Sequence, residues 1–212
     1  MSRRHSIAAA ILAAASLAAP AGAQTLIEEW GSAKMPAAPT LKAVKIASAK
    51  ETALLVMDFT KQTCSQERRP RCAVSVAKVA RLVATAREKG ALIIFSVAVA
   101  NSTPADLLPE LPAAAGEQVL PPLGPDKFVG SDLEKTLRDR GIKSVIAMGT
   151  QAQTSVLHTG ASAALRGFDV IVPVDAMSAD DVFSEAYTAW HLSTAARIAP
   201  KTTLTRLDMI GW

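Results

Sequence analysis

The chain has 212 residues, of which 50% are hydrophobic, 20% are charged and 4% are aromatic. This length suits one compact domain, and the mean hydropathy of +0.23 excludes a disordered, strongly solvated chain. The formal net charge is only +4 and the basic clusters are poor in aromatic residues, which excludes a typical nucleic-acid-binding surface.

The first 23 residues have the pattern of a secretory signal peptide. Arginines at 3–4 supply the positive charge, residues 7–19 form an uncharged apolar stretch, and residues 21–23 are Ala-Gly-Ala, a small-x-small cleavage site. Pro20 ends the apolar run before it is long enough for a membrane anchor. We therefore predict cleavage before Gln24 and export of the mature chain, with the bacterial periplasm as its destination.

Cleavage also changes the charge of the protein. It removes two arginines and no acidic residue, so the formal net charge falls from +4 to +2. Such a surface has no strong electrostatic attraction for nucleic acid or for an anionic membrane. We therefore expect neither of them among the partners of the mature chain.

Export bears on the two cysteines, Cys64 and Cys72. In an oxidising compartment a pair at this spacing favours a disulfide. The alternatives are a metal-binding pair and a catalytic thiol. Zinc would need two more ligands, and the histidines that remain after cleavage, His158 and His191, are distant in sequence. We expect the disulfide, and no metal site.

The mature chain is predicted to begin with an extended arm, residues 24–50, which is rich in Ala, Pro and Lys. In the domain that follows, residues 51–212, short apolar runs alternate with segments of helical periodicity. The predicted strands are residues 52–57, 91–99, 143–148, 169–174 and 202–209. The predicted helices are residues 74–89, 131–140, 154–166 and 179–197. Residues 100–126 are rich in proline and are predicted to be an irregular loop.

This alternation predicts an α/β fold with a doubly wound, mainly parallel sheet of five to six strands between two layers of helices. The prediction favours this sandwich over a barrel, because the five predicted strands cannot close an eight-stranded barrel. In such sheets ligands bind beyond the carboxyl ends of the strands. Four places qualify: Asp58 after the first strand, residues 99–101 after the second, residues 149–155 after the third, and Asp175 after the fourth.

Two of these places carry side chains with chemistry of their own. Asp58 is either a general acid or base, or the cap of a loop or helix. Ser155 lies near the first turn of a predicted helix, where free backbone N–H groups suit an oxyanion. Its hydroxyl is a nucleophile, a substrate contact or a helix cap.

Five pieces of the sequence, taken together and in order, resemble the isochorismatase-like hydrolases, a superfamily that includes nicotinamidases, carbamoylsarcosine-type amidases and isochorismatases. The pieces are Asp58 after its strand, Lys-Phe-Val-Gly-Ser-Asp-Leu at 127–133, Arg-Asp-Arg-Gly-Ile at 138–142, the turn at Gly149, and Asp-Ala at 175–176. The resemblance implies a three-layer α/β/α sandwich and a homo-oligomer.

The amidases of this family use an aspartate, a lysine and a nucleophilic cysteine. The resemblance puts the aspartate at Asp58, and the position of the cysteine, six residues after the glycine of the turn, is Ser155. A serine is a weaker nucleophile than a thiolate and needs a base. The family's usual lysine position holds none, and Lys127 stands just before Phe128 instead. Lys127 either reaches the same pocket from a shifted start or is a solvated surface charge.

The resemblance implies further site residues. It implies a cis peptide bond between Thr150 and Gln151, with backbone amides near Gln151 and Ser155 receiving an oxyanion. The predicted oxyanion- or substrate-binding residues are Thr150, Gln151, Phe128 and His158. His158 follows Ser155 by three residues, so it is either the partner of an improvised Ser–His dyad or a structural histidine. The metal site of the nicotinamidases is not expected, because the chain has no histidine between His5 and His158.

We therefore predict an exported hydrolase without a cofactor, which acts on a small polar amide or enol ether with Asp58 as general acid or base. The alternative is a family member that has lost catalysis and serves as a periplasmic ligand-binding or scaffold protein. The serine at position 155 and the displaced lysine favour the alternative.

Overall fold

The computed structural model describes residues 25–212, and the predicted signal peptide lies outside them. The described chain comprises two units, residues 25–34 and residues 35–212. The first is a short helix, α1 (Leu26–Glu29), which Thr25 caps through its side chain, followed by a 3₁₀ turn. Within the described part, no helix has the length and apolar character that crossing a bilayer requires.

The second unit contains the predicted alternation of strands and helices. Its strands are β1 (Val44–Lys45), β2 (Thr52–Met57), β3 (Leu92–Ser96), β4 (Gln118–Leu120), β5 (Ser144–Thr150), β6 (Asp169–Pro173), β7 (Met177–Ser178), β8 (Thr202–Thr205) and β9 (Ile210–Gly211). Its helices are α2 (Pro70–Ala73), α3 (Val76–Glu88), α4 (Leu133–Asp139), α5 (Leu157–Leu165) and α6 (Val182–Thr194).

The main sheet is parallel and has the strand order β4-β3-β2-β5-β6-β8, and β7 pairs with the end of β5. The predicted α/β fold with a parallel sheet is confirmed. The described sheet has seven strands rather than five or six, because β4 and β7 also join it. Both are only two or three residues long, too short for the buried apolar run that identifies the others.

The central strand β2 is buried along its whole length, because helices cover both faces of the sheet. Successive side chains of a strand point to opposite faces. Leu55 therefore packs in one core cluster with residues of α4, α5 and α6, and Leu54 in another with residues of α3. In the second cluster, Val79 and Val83 of α3 are four residues apart and therefore lie on the same buried face of that helix.

The order in which strands are added to the sheet reverses at β2. From β2 the chain adds β3 and then β4 on one side, and it then crosses to β5 on the other side of β2. The carboxyl ends of β2 and β5 therefore flank a topological switch point, where open α/β sheets bind their ligands. Asp58 follows β2 directly, and Ser155 lies shortly after β5.

Part of the predicted arm belongs to the second unit. The Lys42 N–H donates to the Leu204 carbonyl over 2.9 Å, and β1 pairs with β9 as a small separate sheet. The predicted last strand, residues 202–209, is consequently shorter: it ends with β8, and a 3₁₀ turn at Leu207–Met209 leads to β9.

The predicted disulfide between Cys64 and Cys72 is confirmed. The two Cα atoms lie 5.3 Å apart, within the usual range for such a bond, and both side chains are buried against the core. The bond closes the loop that leads from the end of β2 to α3.

Gly149 is required where β5 approaches β2. A Cβ atom at this position would lie 2.5 Å from the carbonyl oxygen of Met57 and 2.8 Å from its Cβ, both atoms of the neighbouring strand. We expect Gly149→Ala to lower the free energy of unfolding by about 3 kcal/mol, because backbone and Cβ atoms cannot rotate away from the clash.

Urea denaturation checks this expectation, with Gly124→Ala as the control. Nothing lies within 4 Å of a Cβ at position 124, so the control should change stability by less than about 1 kcal/mol. Equal midpoints for the two variants would show that the close approach of the strands is not a constraint.

Candidate active site

Three buried side chains meet at the carboxyl ends of β2 and β5. The Lys127 ammonium Nζ lies 3.0 Å from Oδ2 of Asp58, and the Ser155 hydroxyl donates to the same oxygen over 2.5 Å. The exposed fractions are 1% for Asp58, 2% for Lys127 and 4% for Ser155. The structure therefore brings together the three residues that the resemblance selected, in a site closed to solvent.

Asp58 is held in an unusual backbone conformation. Its φ is +63°, in the left-handed region that aspartate tolerates better than most residues with a side chain. Its N–H donates to the Ser96 carbonyl over 3.1 Å, and its own carbonyl accepts from the Thr60 N–H over 2.9 Å. Such conformations persist only where the surroundings enforce them, and they concentrate at functional sites.

The Asp58 carboxylate accepts two hydrogen bonds and forms one ion pair. Ser96, the last residue of β3, donates its hydroxyl to Oδ1 over 2.6 Å, while Lys127 and Ser155 both contact Oδ2. A carboxylate accepts through all its lone pairs, whereas a protonated carboxyl must donate one of these bonds. The Asp58 carboxylate is therefore placed to take the proton of the Ser155 hydroxyl.

The backbone of Lys127 is held by hydrogen bonds to α5 and to the segment just before α4. Its N–H donates to Oγ1 of Thr159 in α5 over 3.1 Å, and its carbonyl accepts from the hydroxyl of Ser131, just before α4, over 2.5 Å. The interpretation of Lys127 as a solvated surface charge is therefore wrong, since its ammonium is buried against Asp58. Its role in catalysis stays a prediction.

Ser155 lies in an irregular segment. The peptide bond between Thr150 and Gln151 is cis, as the resemblance implied, and residues 152–156 form a π-helical turn before α5 begins. The N–H groups of Thr154 and Val156 donate to the Gln151 carbonyl over 3.2 and 3.4 Å. The turn therefore presents Ser155 to Asp58 from the end of β5.

Two predicted binding residues do not join this site. His158 is exposed, because Ser155 lies in the π-helical turn and the three-residue spacing of a regular helix does not carry over to α5. The Ser–His dyad is therefore wrong. Phe128 packs in the hydrophobic core, with its ring 6.3 Å from that of Phe168 and the Arg166 guanidinium 4.6 Å from its centre.

Three residues of the site were missed from the sequence. Ser96 ends β3, whereas the predicted strand ran on to residue 99, so the strand-end rule pointed to residues 99–101 instead. Arg69 had no distinguishing signal, since it stands among several arginines of one loop. It is buried and bonded to Oγ1 of Thr150 over 2.5 Å and to Asp180. Asp180 also accepts from the Gln151 side chain over 2.8 Å.

Asp180 is the acidic member of this second cluster. Burial raises the pKa of the Asp180 carboxyl, but the hydrogen bond and charge of Arg69, with those of Arg68, outweigh burial and hold this pKa below its usual value. Asp180 therefore stays ionised, and able to hold Arg69, through the neutral and mildly acidic range.

Among residues 25–212, no group of three or more His, Cys, Asp or Glu side chains is arranged as metal ligands.

Comparison with known proteins gives concordant matches. The family model described as "Isochorismatase domain" matches residues 52–204. The "Secreted isochorismatase effector Isc1" of Verticillium dahliae is 33% identical over 78 residues, which are 37% of this chain and 41% of that protein. The chain thus matches about two fifths of the length of this curated relative.

Solved structures share the fold. An isochorismatase family protein from Desulfovibrio vulgaris superposes with a TM-score of 0.67 and 22% identity, over 74% of this chain and 95% of that one. N-carbamoylsarcosine amidase from Thermoplasma acidophilum superposes with a TM-score of 0.63 and 23% identity, over 74% and 97%. At these identities the likeness establishes the architecture.

The buried ion pair has a measurable consequence. We expect Lys127→Met to lower the free energy of unfolding by about 3–5 kcal/mol, because it leaves the Asp58 carboxylate buried without its counter-charge. The double variant Asp58→Asn/Lys127→Met should recover part of that loss, since it removes both charges. Chemical denaturation of the four proteins of this double-mutant cycle measures the coupling.

Lys135 provides the matched control. It forms an ion pair with Asp139, but both side chains are largely exposed, so Lys135→Met should cost less than about 1 kcal/mol. If Lys127→Met costs no more than Lys135→Met, then Lys127 does not form a buried pair in solution.

Proposed function

This chain belongs to the isochorismatase family, and we propose that within it the protein is a cofactor-independent hydrolase of a small polar amide or enol ether. The observation that carries the proposal is the direct contact of Asp58, Lys127 and Ser155 in a buried site at the switch point of the sheet. Asp58 is the general acid or base of the proposed reaction.

The hydrogen bonds of Asp58 favour the amide over the enol ether. In the amide reaction the Asp58 carboxylate takes the Ser155 proton as the Ser155 oxygen attacks the carbonyl carbon. The oxyanion that forms is received by backbone N–H groups near Gln151 and Ser155. The proton then passes from Asp58 to the leaving nitrogen, the amine departs, and water hydrolyses the resulting ester with Asp58 again as base.

Lys127 has an electrostatic part in this scheme. Its ammonium compensates the Asp58 charge in a site closed to water, where charge interactions are stronger than in solvent. The enol-ether reaction needs Asp58 to begin as an acid that protonates carbon. An aspartate that accepts from two hydroxyls and an ammonium would first have to take up a proton, so this second reaction is the less supported of the two.

Export is part of the proposal. It is supported by the leader pattern at 1–23, by the Cys64–Cys72 disulfide, which persists in oxidising compartments, and by the secreted nature stated in the name of the Verticillium relative. The periplasm as destination rests on the leader pattern, and homo-oligomerisation rests on the family. We propose a small-molecule substrate, with neither nucleic acid nor a membrane as partner.

A second function is supported by a specific observation. All three candidate catalytic side chains are at most 4% exposed, and both oxygens of Asp58 are already bonded within the protein. A site of this kind, with serine in place of the nucleophilic cysteine, suits a family member that has lost catalysis and binds a ligand or a partner protein.

A substrate screen separates the two functions. We expect the purified protein to hydrolyse one or more small amides, and Asp58→Asn to lower kcat/KM by about 100- to 10,000-fold because the base is lost. Ser155→Ala should abolish the amide reaction, and Ser155→Cys should retain or increase it, since a thiol is the stronger nucleophile.

The control for this screen is Ser193→Ala, which removes a hydroxyl bonded only within α6 and should leave kcat/KM unchanged. Activity that survives Asp58→Asn would contradict the proposed mechanism. A wild-type protein inactive on every amide and enol ether, with activity appearing only in Ser155→Cys, would favour the non-catalytic function.

A further inference from the structure

The disulfide loop carries a buried arginine that the proposed reaction does not use. Arg69 is 4% exposed, whereas its neighbours Arg68 and Arg71 are 54% and 46% exposed. A buried guanidinium is costly unless its charge is paired and its N–H groups are bonded. The contacts of Arg69 therefore indicate what it is buried for.

Those contacts join three separate segments. Nη1 of Arg69 donates to the Thr63 carbonyl over 3.0 Å and to Oγ1 of Thr150 over 2.5 Å. Nε and Nη2 contact Oδ1 of Asp180 over 3.0 and 2.8 Å. A guanidinium has five N–H groups, and these contacts engage four of them, so Arg69 has little capacity left to bind a substrate.

Two of these three segments carry the residues of the candidate active site. Thr63 belongs to the turn after Asp58, and its hydroxyl donates to the Asp58 carbonyl. Thr150 begins the segment that ends at Ser155. The side-chain amide of Gln151, the next residue, donates to Oδ2 of Asp180. Arg69 and Asp180 together therefore contact the residues on both sides of the Thr150–Gln151 peptide bond.

The disulfide fixes the position of Arg69 itself. The Arg69 N–H donates to the Ser65 carbonyl over 2.8 Å, and the Arg69 carbonyl accepts from the Cys72 N–H over 2.9 Å. Both cysteines are buried, at 2% and 0% exposure, so the bond between them anchors the loop from beneath. Arg69 is thereby held by its own backbone as well as by its side chain.

We propose that Arg69 is a positioning residue, which holds the turn before Ser155 in place relative to Asp58, and that the Cys64–Cys72 disulfide in turn holds Arg69. The expected effect on rate rests on the proposed function, whereas the effect on the turn exists whether or not the protein is an enzyme. A lysine cannot replace Arg69, because it lacks the planar fork that reaches Thr63, Thr150 and Asp180 together.

The first test needs no substrate. The Thr154 and Val156 amides bond to the Gln151 carbonyl, so their hydrogen exchange, followed by NMR, reports the order of the turn. Arg69→Lys should speed exchange of these two amides about 10-fold, as expected for loss of charged hydrogen bonds. The Asp58 amide, bonded to Ser96 of β3, should be affected much less.

The matched control is Arg71→Lys, which weakens a similar two-pronged contact from the same loop, but to Glu185 of α6. It should leave the Thr154 and Val156 amides at the wild-type exchange rate. Unchanged exchange in Arg69→Lys, or equal acceleration in Arg71→Lys, overturns the proposal. If Arg69→Lys does not fold, Asp180→Asn gives a second measurement, since it removes the negative charge that pairs with Arg69.

The disulfide is tested with the double variant Cys64→Ala/Cys72→Ala. If the bond acts through Arg69, this variant should show the same accelerated exchange at Thr154 and Val156, and adding Arg69→Lys to it should accelerate them little further. Full additivity of the two changes would show that the disulfide and Arg69 act independently, and would overturn that part of the proposal.

The second test uses an amide that the wild-type protein hydrolyses. Arg69→Lys should lower kcat about 10- to 100-fold with KM changed less than about 3-fold, because small displacements of catalytic groups impair the chemical step more than binding. A folded Arg69→Lys with wild-type kcat overturns the role in catalysis. If the wild-type protein hydrolyses nothing, the proposed function fails, and the exchange experiment still decides the positioning role.

Discussion

The site depends on one buried ion pair, between Asp58 and Lys127. Removing two charges from water costs several kcal/mol for each, and the pair is tolerable only where its remaining hydrogen-bonding groups are satisfied. The hydroxyls of Ser96 and Ser155 donate to the Asp58 carboxylate and so satisfy its remaining acceptor positions. The parallel sheet makes this possible by ending three neighbouring strands, β3, β2 and β5, at one edge.

The same contacts suit two different functions. A hydroxyl aimed at a carboxylate beside an ammonium is the arrangement a serine hydrolase reaction would use, and it is also an arrangement that satisfies buried polar groups with no reaction at all. Ser155 stands at the position that the sequence resemblance assigns to a nucleophilic cysteine, and a serine hydroxyl is a weaker nucleophile than a thiolate.

A second cluster, formed by Arg69 and Asp180, lies beside the candidate active site. Arg69 and Asp180 do not touch Asp58 or Ser155, but they bond to the segments that carry them. The loop that holds Arg69 is short and closed by a disulfide, which suits an oxidising compartment. The segments that carry Asp58 and Ser155 are therefore linked through the Arg69 guanidinium as well as through the sheet.

By itself, the sequence determined the alternation of strands and helices, the parallel sheet, the disulfide, and the places of Asp58 and Ser155 at strand ends. These follow from local patterns, since burial periodicity, cysteine spacing and strand ends are all readable within a few residues. Only the tertiary structure decided that Lys127 is buried, that Arg69 rather than Arg68 turns inward, and that His158 faces solvent. Each depends on the distance between segments far apart in the chain, and on a π-helical turn that has no clear signature in sequence.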